Sequence, residues 1–268
     1  MKLSTLLISA GLILTATSSC TLDSKSIERI VRSQAGKDDF RDSEKWGKVV
    51  TKTIDLPDFH SIVLTGNADI KFSQADEQSL SVTGNEKTIK LYSLKVKDGV
   101  LFVEDTNDSI LHKPSIKLQV AAPSLLSVNM SGLGDIDIKN TAEFDHNLTI
   151  SVSGMGDIDL GNISCKTLDI SMSGTGDVKA NKVKCQKAFV NVSGKGDINT
   201  EIKADDINVN LSGSGDADLE VKCTNLNITA IGTGDIEVEG ECVNLTKEEG
   251  GLSSIDTREL KAQGIKLK

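Results

Sequence analysis

Six aspartates recur at nearly even spacing through the second half of the chain. Each ends a copy of the phrase Ser-Gly-x-Gly-Asp or, in the last copy, Ile-Gly-Thr-Gly-Asp; they are Asp135, Asp157, Asp177, Asp197, Asp216 and Asp235. Carboxylates in glycine-rich loops can coordinate Ca²⁺, which prefers oxygen ligands. The same side chains can instead accept hydrogen bonds from backbone amides at a turn. We expect the structural role and no cofactor, with a calcium ladder as the alternative.

Four cysteines form a second periodic set. Cys165, Cys185, Cys223 and Cys242 each lie nine residues before a repeat glycine, and Ala204 holds the remaining equivalent position. If repeats stack at the spacing of β-strands, about 4.8 Å, neighbouring cysteines fall within the Cα separation of a disulfide. The pattern therefore predicts either a column of buried thiols or the disulfides Cys165–Cys185 and Cys223–Cys242. A metal site is less expected because no histidine accompanies the column.

No set of residues with catalytic spacing emerges. The three histidines, His60, His112 and His146, lie outside the repeated phrase and share no motif. Polysaccharide lyases built on β-helices combine bound calcium with basic catalytic residues, but Arg258 is the only arginine after Arg41. We therefore predict that the protein is not an enzyme, and a polysaccharide-acting enzyme is the least favoured alternative.

The repeats that carry these residues predict an all-β solenoid. The phrase recurs about every 20 residues, and self-similarity of this period indicates stacked structural units. Apolar residues alternate before each phrase glycine, as at Leu168, Ile170 and Met172, and again after it, as at Val178 and Ala180. Helical periodicity is missing. We predict a single-chain parallel β-solenoid, or β-helix, with about 19–20 residues per rung.

The solenoid domain is predicted to span residues 49–268. Its regular repeats cover 126–256, and its less regular first part, 49–125, has longer strands and a hairpin turn at Lys97-Asp98-Gly99. Within this first part, Thr65-Gly66-Asn67-Ala68-Asp69 matches the repeated phrase loosely.

The segment 1–19 predicts export. A basic start is followed by an apolar run and small residues before Cys20, a pattern that resembles a bacterial lipoprotein signal. That resemblance implies cleavage before Cys20, acylation of this cysteine and a lipid anchor in the envelope of a Gram-negative bacterium, in the outer membrane or facing the periplasm. Residues 20–48 are polar and predict a flexible tether.

Composition narrows the choice of partners. The formal net charge of −9 argues against nucleic acid, whose phosphates require a basic surface. The chain has one Trp, one Tyr and six Phe, so a large carbohydrate groove lined with aromatic side chains is not expected.

Several segments together resemble one protein family. They are Asp58-Phe59-His60-Ser61-Ile62, Leu80-Ser81-Val82-Thr83-Gly84-Asn85, Asp98-Gly99-Val100-Leu101, Ala122-Pro123-Ser124-Leu125 and the Ser-Gly-x-Gly-Asp phrases. Over residues 50–268 the chain is similar to the auto-transporter adhesin "head GIN" domain, a domain of unknown function. The resemblance implies a β-solenoid and a non-enzymatic role in binding or adhesion, with a protein or glycan ligand. A structural or self-assembling envelope component, such as a homo-oligomer, is the alternative.

Overall fold

The computed structural model describes residues 45–106 and 114–267. The predicted signal, Cys20 and His112 lie outside these residues, as does most of the predicted tether. The fold is 76% strand and 3% helix, with about seven turns of stacked parallel strands. The predicted all-β solenoid is therefore confirmed. No helix of the described segments is long and apolar enough to cross a membrane.

Seventeen strands and one short helix lie within the described segments, and residues 45 and 46 are also helical. Their bounds are β1 Val49–Ile54, β2 Ser61–Gln74, β3 Ser79–Asn85, α1 Glu86–Ile89, β4 Tyr92–Lys97, β5 Val100–Asp105, β6 Ile116–Ala122, β7 Ser127–Leu133, β8 Ile136–Glu143, β9 Leu148–Met155, β10 Ile158–Ser164, β11 Thr167–Thr175, β12 Val178–Lys184, β13 Lys187–Lys195, β14 Ile198–Lys203, β15 Asp206–Ser214, β16 Ala217–Asp256 and β17 Leu260–Leu267.

Equivalent positions of successive repeats lie directly over one another. In the strands before the phrase, Ile150 of β9 pairs with Ile170 of β11, which pairs with Val190 of β13. In the strands after it, Ile158 of β10 pairs with Val178 of β12. Because each residue pairs with the equivalent residue of the next repeat, aliphatic side chains form continuous buried columns inside the solenoid. Stacking thus buries the apolar face that no single rung could bury alone.

The N-terminal part does not stack in the order of the chain. Strand β2 lies between β7 and β8 on one side and β5 and β6 on the other, all parallel to it. Gly66 of β2 pairs with Gly132, so the loose match to the phrase occupies a true repeat corner. Antiparallel strands β1, β3 and β4 then cover this end, with β3 beside β6 and β4 beside β5. They shield strand edges that could otherwise pair with another chain.

An ion pair lies near the C-terminal end of the core. Asn244 donates a hydrogen bond to the side chain of Asn225, so the 19-residue period continues and places Lys247 over Ile228 and Glu249 over Ala230. Lys247 Nζ lies 3.2 Å from Glu249 Oε1 and 3.1 Å from the carbonyl oxygen of Ile255. Lys247 is partly buried and Glu249 is exposed, so the pair lies at the border between the core and solvent.

Candidate functional site

The repeated phrase forms a corner at which successive rungs meet backbone to backbone. At Gly174 the φ angle is 145°, and a Cβ atom there would lie 1.9 Å from the carbonyl oxygen of Gly154. At the second glycine of the same phrase, Gly176, a Cβ atom would lie 2.1 Å from the carbonyl oxygen of Gly156. Glycine is needed here for both its conformation and its lack of a side chain. The corner is therefore an element of the fold.

The aspartates bind the corner of the next rung. Asp157 Oδ1 accepts a hydrogen bond from the backbone N–H of Asp177 at 2.8 Å, and Asp177 Oδ1 accepts one from Asp197 at 3.0 Å. The same contact recurs at every step between Asp135 and Asp235. Each carboxylate thus satisfies an amide of its neighbour, as expected for the structural role.

The ladder has a seventh member, which lies in the loose match to the repeated phrase. Asp69 of β2 accepts a hydrogen bond from the N–H of Asp135 at 3.3 Å. Ala68 stands where the phrase has its second glycine, so the match is incomplete at this position. The signal that identifies Asp69 is its spacing of three residues from Gly66, the same as from Gly132 to Asp135.

No metal centre is formed by the part of the chain that the structure describes, where no group of three or more His, Cys, Asp or Glu side chains could hold an ion. The second oxygens of two ladder carboxylates face lysines instead, at 3.9 Å for Asp69 and Lys117 and 4.0 Å for Asp177 and Lys179. The calcium ladder remains a prediction that an ion-removal experiment can decide.

Substitution of Asp177 distinguishes a structural role of the aspartate ladder from calcium binding. Asp177→Ala removes the acceptor of the Asp197 N–H, and we expect a loss of about 1 kcal/mol in the free energy of unfolding. Asp177→Asn keeps a carbonyl oxygen and should be close to the parent. Thermal melting with and without a chelator of divalent ions is the measurement. A parent that melts at lower temperature after chelation, with an Asp177→Asn variant that does not respond, would instead show calcium binding.

The four cysteines form a column at a second corner of the rungs. This corner follows the stacked strands β10, β12, β14 and the start of β16. Cys165 and Cys242 are buried, and Cys185 and Cys223 are partly buried against the core. All four are free thiols. Ala204 is buried in the same column, between Cys185 and Cys223. The disulfides considered from the sequence remain predictions.

One strip along the outward side of the solenoid is almost uncharged. We call it the first face: the outward side of residues 63–65, 127–131, 149–153, 169–173, 189–193, 208–212 and 227–231. The charged side chains of Lys187, Asp206 and Lys195 lie at its borders. Aligned by register, its side chains form three rows: Ser127, Thr149, Asp169, Phe189, Asn208 and Asn227; then Val63, Asn129, Ser151, Ser171, Asn191, Asn210 and Thr229; then Thr65, Ser131, Ser153, Ser173, Ser193, Ser212 and Ile231. Asp169 is the only ionisable member of these rows.

Hydrogen bonds between rungs hold part of the first face in place. Asn210 donates to the side-chain oxygen of Asn191 at 2.7 Å, and Asn227 donates to that of Asn208 at 3.0 Å. A shallow cleft of about 450 Å³ runs over the face and is lined by residues of several successive rungs. The face is therefore an ordered surface of hydroxyl and amide groups.

Charged side chains concentrate on a different side. We call it the second face: the outward side of β8, β10, β12, β14 and the corresponding parts of β2 and β16. There Asp137 lies 2.7 Å from Lys139, and the hydrogen bond between them raises the pKa of Lys139 above its ordinary value. A cleft of about 710 Å³ on this face includes Asp218, Glu220 and Glu237 in its lining. Solvated charges of this kind keep a protein soluble.

One serine–histidine contact resembles part of a catalytic arrangement. Ser124 Oγ lies 2.7 Å from His146 Nε2, and His146 Nδ1 lies 2.8 Å from the carbonyl oxygen of Asn147. The ring of His146 stacks on Phe144, with centroids 5.2 Å apart. The orienting group is a backbone carbonyl of the neighbouring residue, and neither Ser124 nor His146 lines the clefts on the first or second face. The contact is therefore explained by packing at the corner.

Comparison with known proteins agrees with this geometry. A putative adhesin of Parabacteroides distasonis is 18% identical, with a TM-score of 0.63 over 82% of this chain and 96% of the other. A putative adhesin of Parabacteroides merdae is 19% identical, with a TM-score of 0.54 over 83% and 97%. A putative lipid binding protein of P. distasonis is 17% identical, with a TM-score of 0.52 over 83% and 97%. At these identities the likeness shows the shared fold.

The family is established by the sequence itself. Among curated proteins, none matches this chain. A family model matches residues 58–201 and 197–268, which together make up most of the chain. The protein therefore belongs to the family described as "Putative auto-transporter adhesin, head GIN domain".

Proposed function

We propose that the protein is a lipid-anchored module of the bacterial cell envelope that binds a ligand, without catalysis, through the first face. The family description and the adhesins of similar fold support a role in adhesion. The resemblance of residues 1–20 to a lipoprotein signal supports export and an anchor at Cys20. The polar segment 20–48 would then tether the solenoid to the membrane.

The observation that carries the proposal is the separation of charge between the two faces. A ligand that covers the first face displaces water from hydroxyl and amide groups, which can form new hydrogen bonds with it. Desolvating the carboxylates of the second face would cost more, because a buried charge needs a partner. The partly exposed ring of Phe189 adds apolar contact area near the middle of the first face. These groups suit a neutral, extended ligand such as a glycan chain or a polar protein surface.

A charge placed in the middle of the first face tests this role. Ser173 is exposed on β11, and Ser173→Asp would require a ligand to cover an unpaired carboxylate. We expect at least a tenfold loss of affinity, about 1.4 kcal/mol. The matched control is Asn199→Asp on the second face, which adds the same charge at an exposed site of β14. The measurement is binding of the full chain to an array of glycans and extracellular-matrix proteins.

The outcomes of the array are distinct. A ligand retained by the parent and by Asn199→Asp, but lost by Ser173→Asp, supports the first face as the binding surface. Equal binding of both variants, with unchanged melting, would place the ligand elsewhere. The absence of any retained ligand would argue against adhesion.

Self-association is the second candidate function, and the C-terminal rung favours it. Among the described strands, β17 pairs with β16 alone, so its outer edge is open. Leu252, Ile265 and Leu267 are 82%, 63% and 67% exposed at this end. A second copy of the chain could cover these side chains by pairing β17 with its own β17. A concentration-dependent dimer that Ile265→Lys abolishes would support this function in place of adhesion.

A further inference from the structure

Cys165 and Cys185 form an asymmetric pair of thiols in neighbouring rungs. They follow the paired residues Ser164 and Lys184, and the backbone N–H of Cys165 donates to the carbonyl oxygen of Lys184 at 3.0 Å. Rungs at strand spacing place the two Cα atoms about 4.8 Å apart, within the range of a disulfide. Cys165 is buried, whereas Cys185 is partly exposed. A dissolved reagent can therefore reach Cys185 first.

The surroundings of Cys185 make it the more acidic thiol of the pair. A hydrogen bond from the Cys165 thiol lowers the pKa of Cys185, and the backbone N–H of Leu168 adds a second donor to its sulfur. Burial and the charge of Asp205 act in the opposite direction, with the smaller net effect. The same thiol–thiol hydrogen bond, together with burial, raises the pKa of Cys165. Cys185 is thus the thiol that loses its proton more readily, and Cys165 is the thiol that retains it.

We propose that Cys185 and Cys165 are a thiol–disulfide exchange site, with Cys185 as the attacking residue and Cys165 as the resolving residue. The co-reactant is a low-molecular-weight disulfide, R–S–S–R. Both cysteines lie just outside the strands that precede them, since β10 ends at Ser164 and β12 ends at Lys184. Their side chains are therefore less constrained by the pleat than those within a ladder, and the sulfurs can close to bonding distance.

The exchange proceeds in two steps. The Cys185 thiolate attacks one sulfur of R–S–S–R, that S–S bond breaks, and RS⁻ leaves with the electron pair. A mixed disulfide then joins Cys185 to R–S. Cys165, which no longer faces a thiolate, loses its proton to solvent and attacks the sulfur of Cys185, releasing a second RS⁻. The two protein thiols are oxidised to a disulfide, and R–S–S–R is reduced to two thiols.

The second pair of the column provides an internal comparison. Burial, followed by the charge at Cys242, raises the pKa of Cys223 to about 12, and burial raises the pKa of Cys242. Neither sulfur of this pair is prepared as a thiolate, so Cys223 and Cys242 should react much more slowly with the same disulfide. Proximity alone would predict equal reactivity of the two pairs.

The test uses oxidised glutathione and the full chain carrying Cys20→Ser. The reduced protein is incubated with the disulfide, free thiols are alkylated, and peptides are mapped by mass spectrometry. We expect a Cys165–Cys185 cross-link while Cys223 and Cys242 remain alkylated. Cys165→Ala should trap glutathione on Cys185, and Cys185→Ala should slow the loss of Cys165 at least tenfold. Alanine suits both positions because Ala204 occupies the same column.

Two results would overturn the proposal. One is glutathione that stays on Cys185 in the chain with both cysteines, which would show that Cys165 does not resolve the intermediate. The other is oxidation of Cys223 and Cys242 at the same rate as the first pair. Melting temperatures of the alanine variants confirm that the column is intact, so that a change in rate reports on chemistry.

Discussion

Replacing Gly174 with alanine is expected to lower the free energy of unfolding by at least about 4 kcal/mol, the range of the most damaging single substitutions. The added Cβ would lie 1.9 Å from the carbonyl oxygen of Gly154 and would meet that residue's N and C atoms at 2.9 Å. All three are backbone atoms, so no side-chain rotation relieves the overlap. The rungs above and below must separate, which breaks ladder hydrogen bonds and opens the core. The corresponding fall in melting temperature is at least about 8 °C.

Gly250→Ala is the matched control for this prediction. Its backbone has no left-handed φ, and the nearest atom to an added Cβ is a side-chain carbon of Ile231 at 3.7 Å, an ordinary contact. The variant should melt within a few degrees of the parent. Thermal unfolding followed by circular dichroism measures both. A Gly174→Ala variant as stable as Gly250→Ala would show that the rungs are not packed as closely as described.

Replacing Thr200 with valine is expected to raise the free energy of unfolding by about 1–2 kcal/mol. Thr200 is 5% exposed and lies in a core column between Ala180 and Leu219. Its hydroxyl group is buried without a hydrogen-bond partner. A buried hydroxyl that has lost its contact with water costs about 1–3 kcal/mol, and valine has nearly the same shape without that group. The melting temperature should rise by about 2–8 °C.

Thr200→Ser is the control for the gain. Serine keeps the buried hydroxyl and removes the methyl group, so it leaves the unpaired group in place and adds a small cavity. It should melt below the parent, in the opposite direction to Thr200→Val. Both variants are compared by thermal and denaturant unfolding. A Thr200→Val variant less stable than the parent would show that the hydroxyl has a partner in solution.

The sequence predicted the regular solenoid well because the length of the repeat also sets the register between strands of neighbouring rungs. Repeats of nearly constant length place like residues over like, so periodicity alone assigns Ile150, Ile170 and Val190 to one buried column. The recurring glycines also indicate where each rung turns, because only a residue without a side chain tolerates the close approach of the next rung. The confirmed fold and the family of the chain follow from this repetition.

The N-terminal part could not be derived in this way. Strand β2 pairs with β7 and β8 through the loose match to the phrase, but it also pairs with β5 and β6. These last two pairings join segments that share no phrase. Antiparallel pairing of β3 with β6 likewise depends on the fold of the whole end. Periodicity carries no signal for such contacts. Asp69 lies in the loose match to the phrase, but only the structure shows that it accepts a hydrogen bond from the N–H of Asp135.

The sequence by itself determined the rung, the corner and the aspartate and cysteine columns, because stacking one repeat on the next leaves little choice of neighbour. The tertiary structure decided what those columns do. It showed that Asp157 and Asp177 hold amides of the following rung, which depends on atomic distances that spacing alone does not contain. It also separated the almost uncharged first face from the charged second face, and it placed the ion pair of Lys247 and Glu249 at the border of the core. These properties arise from the direction of side chains in the folded stack.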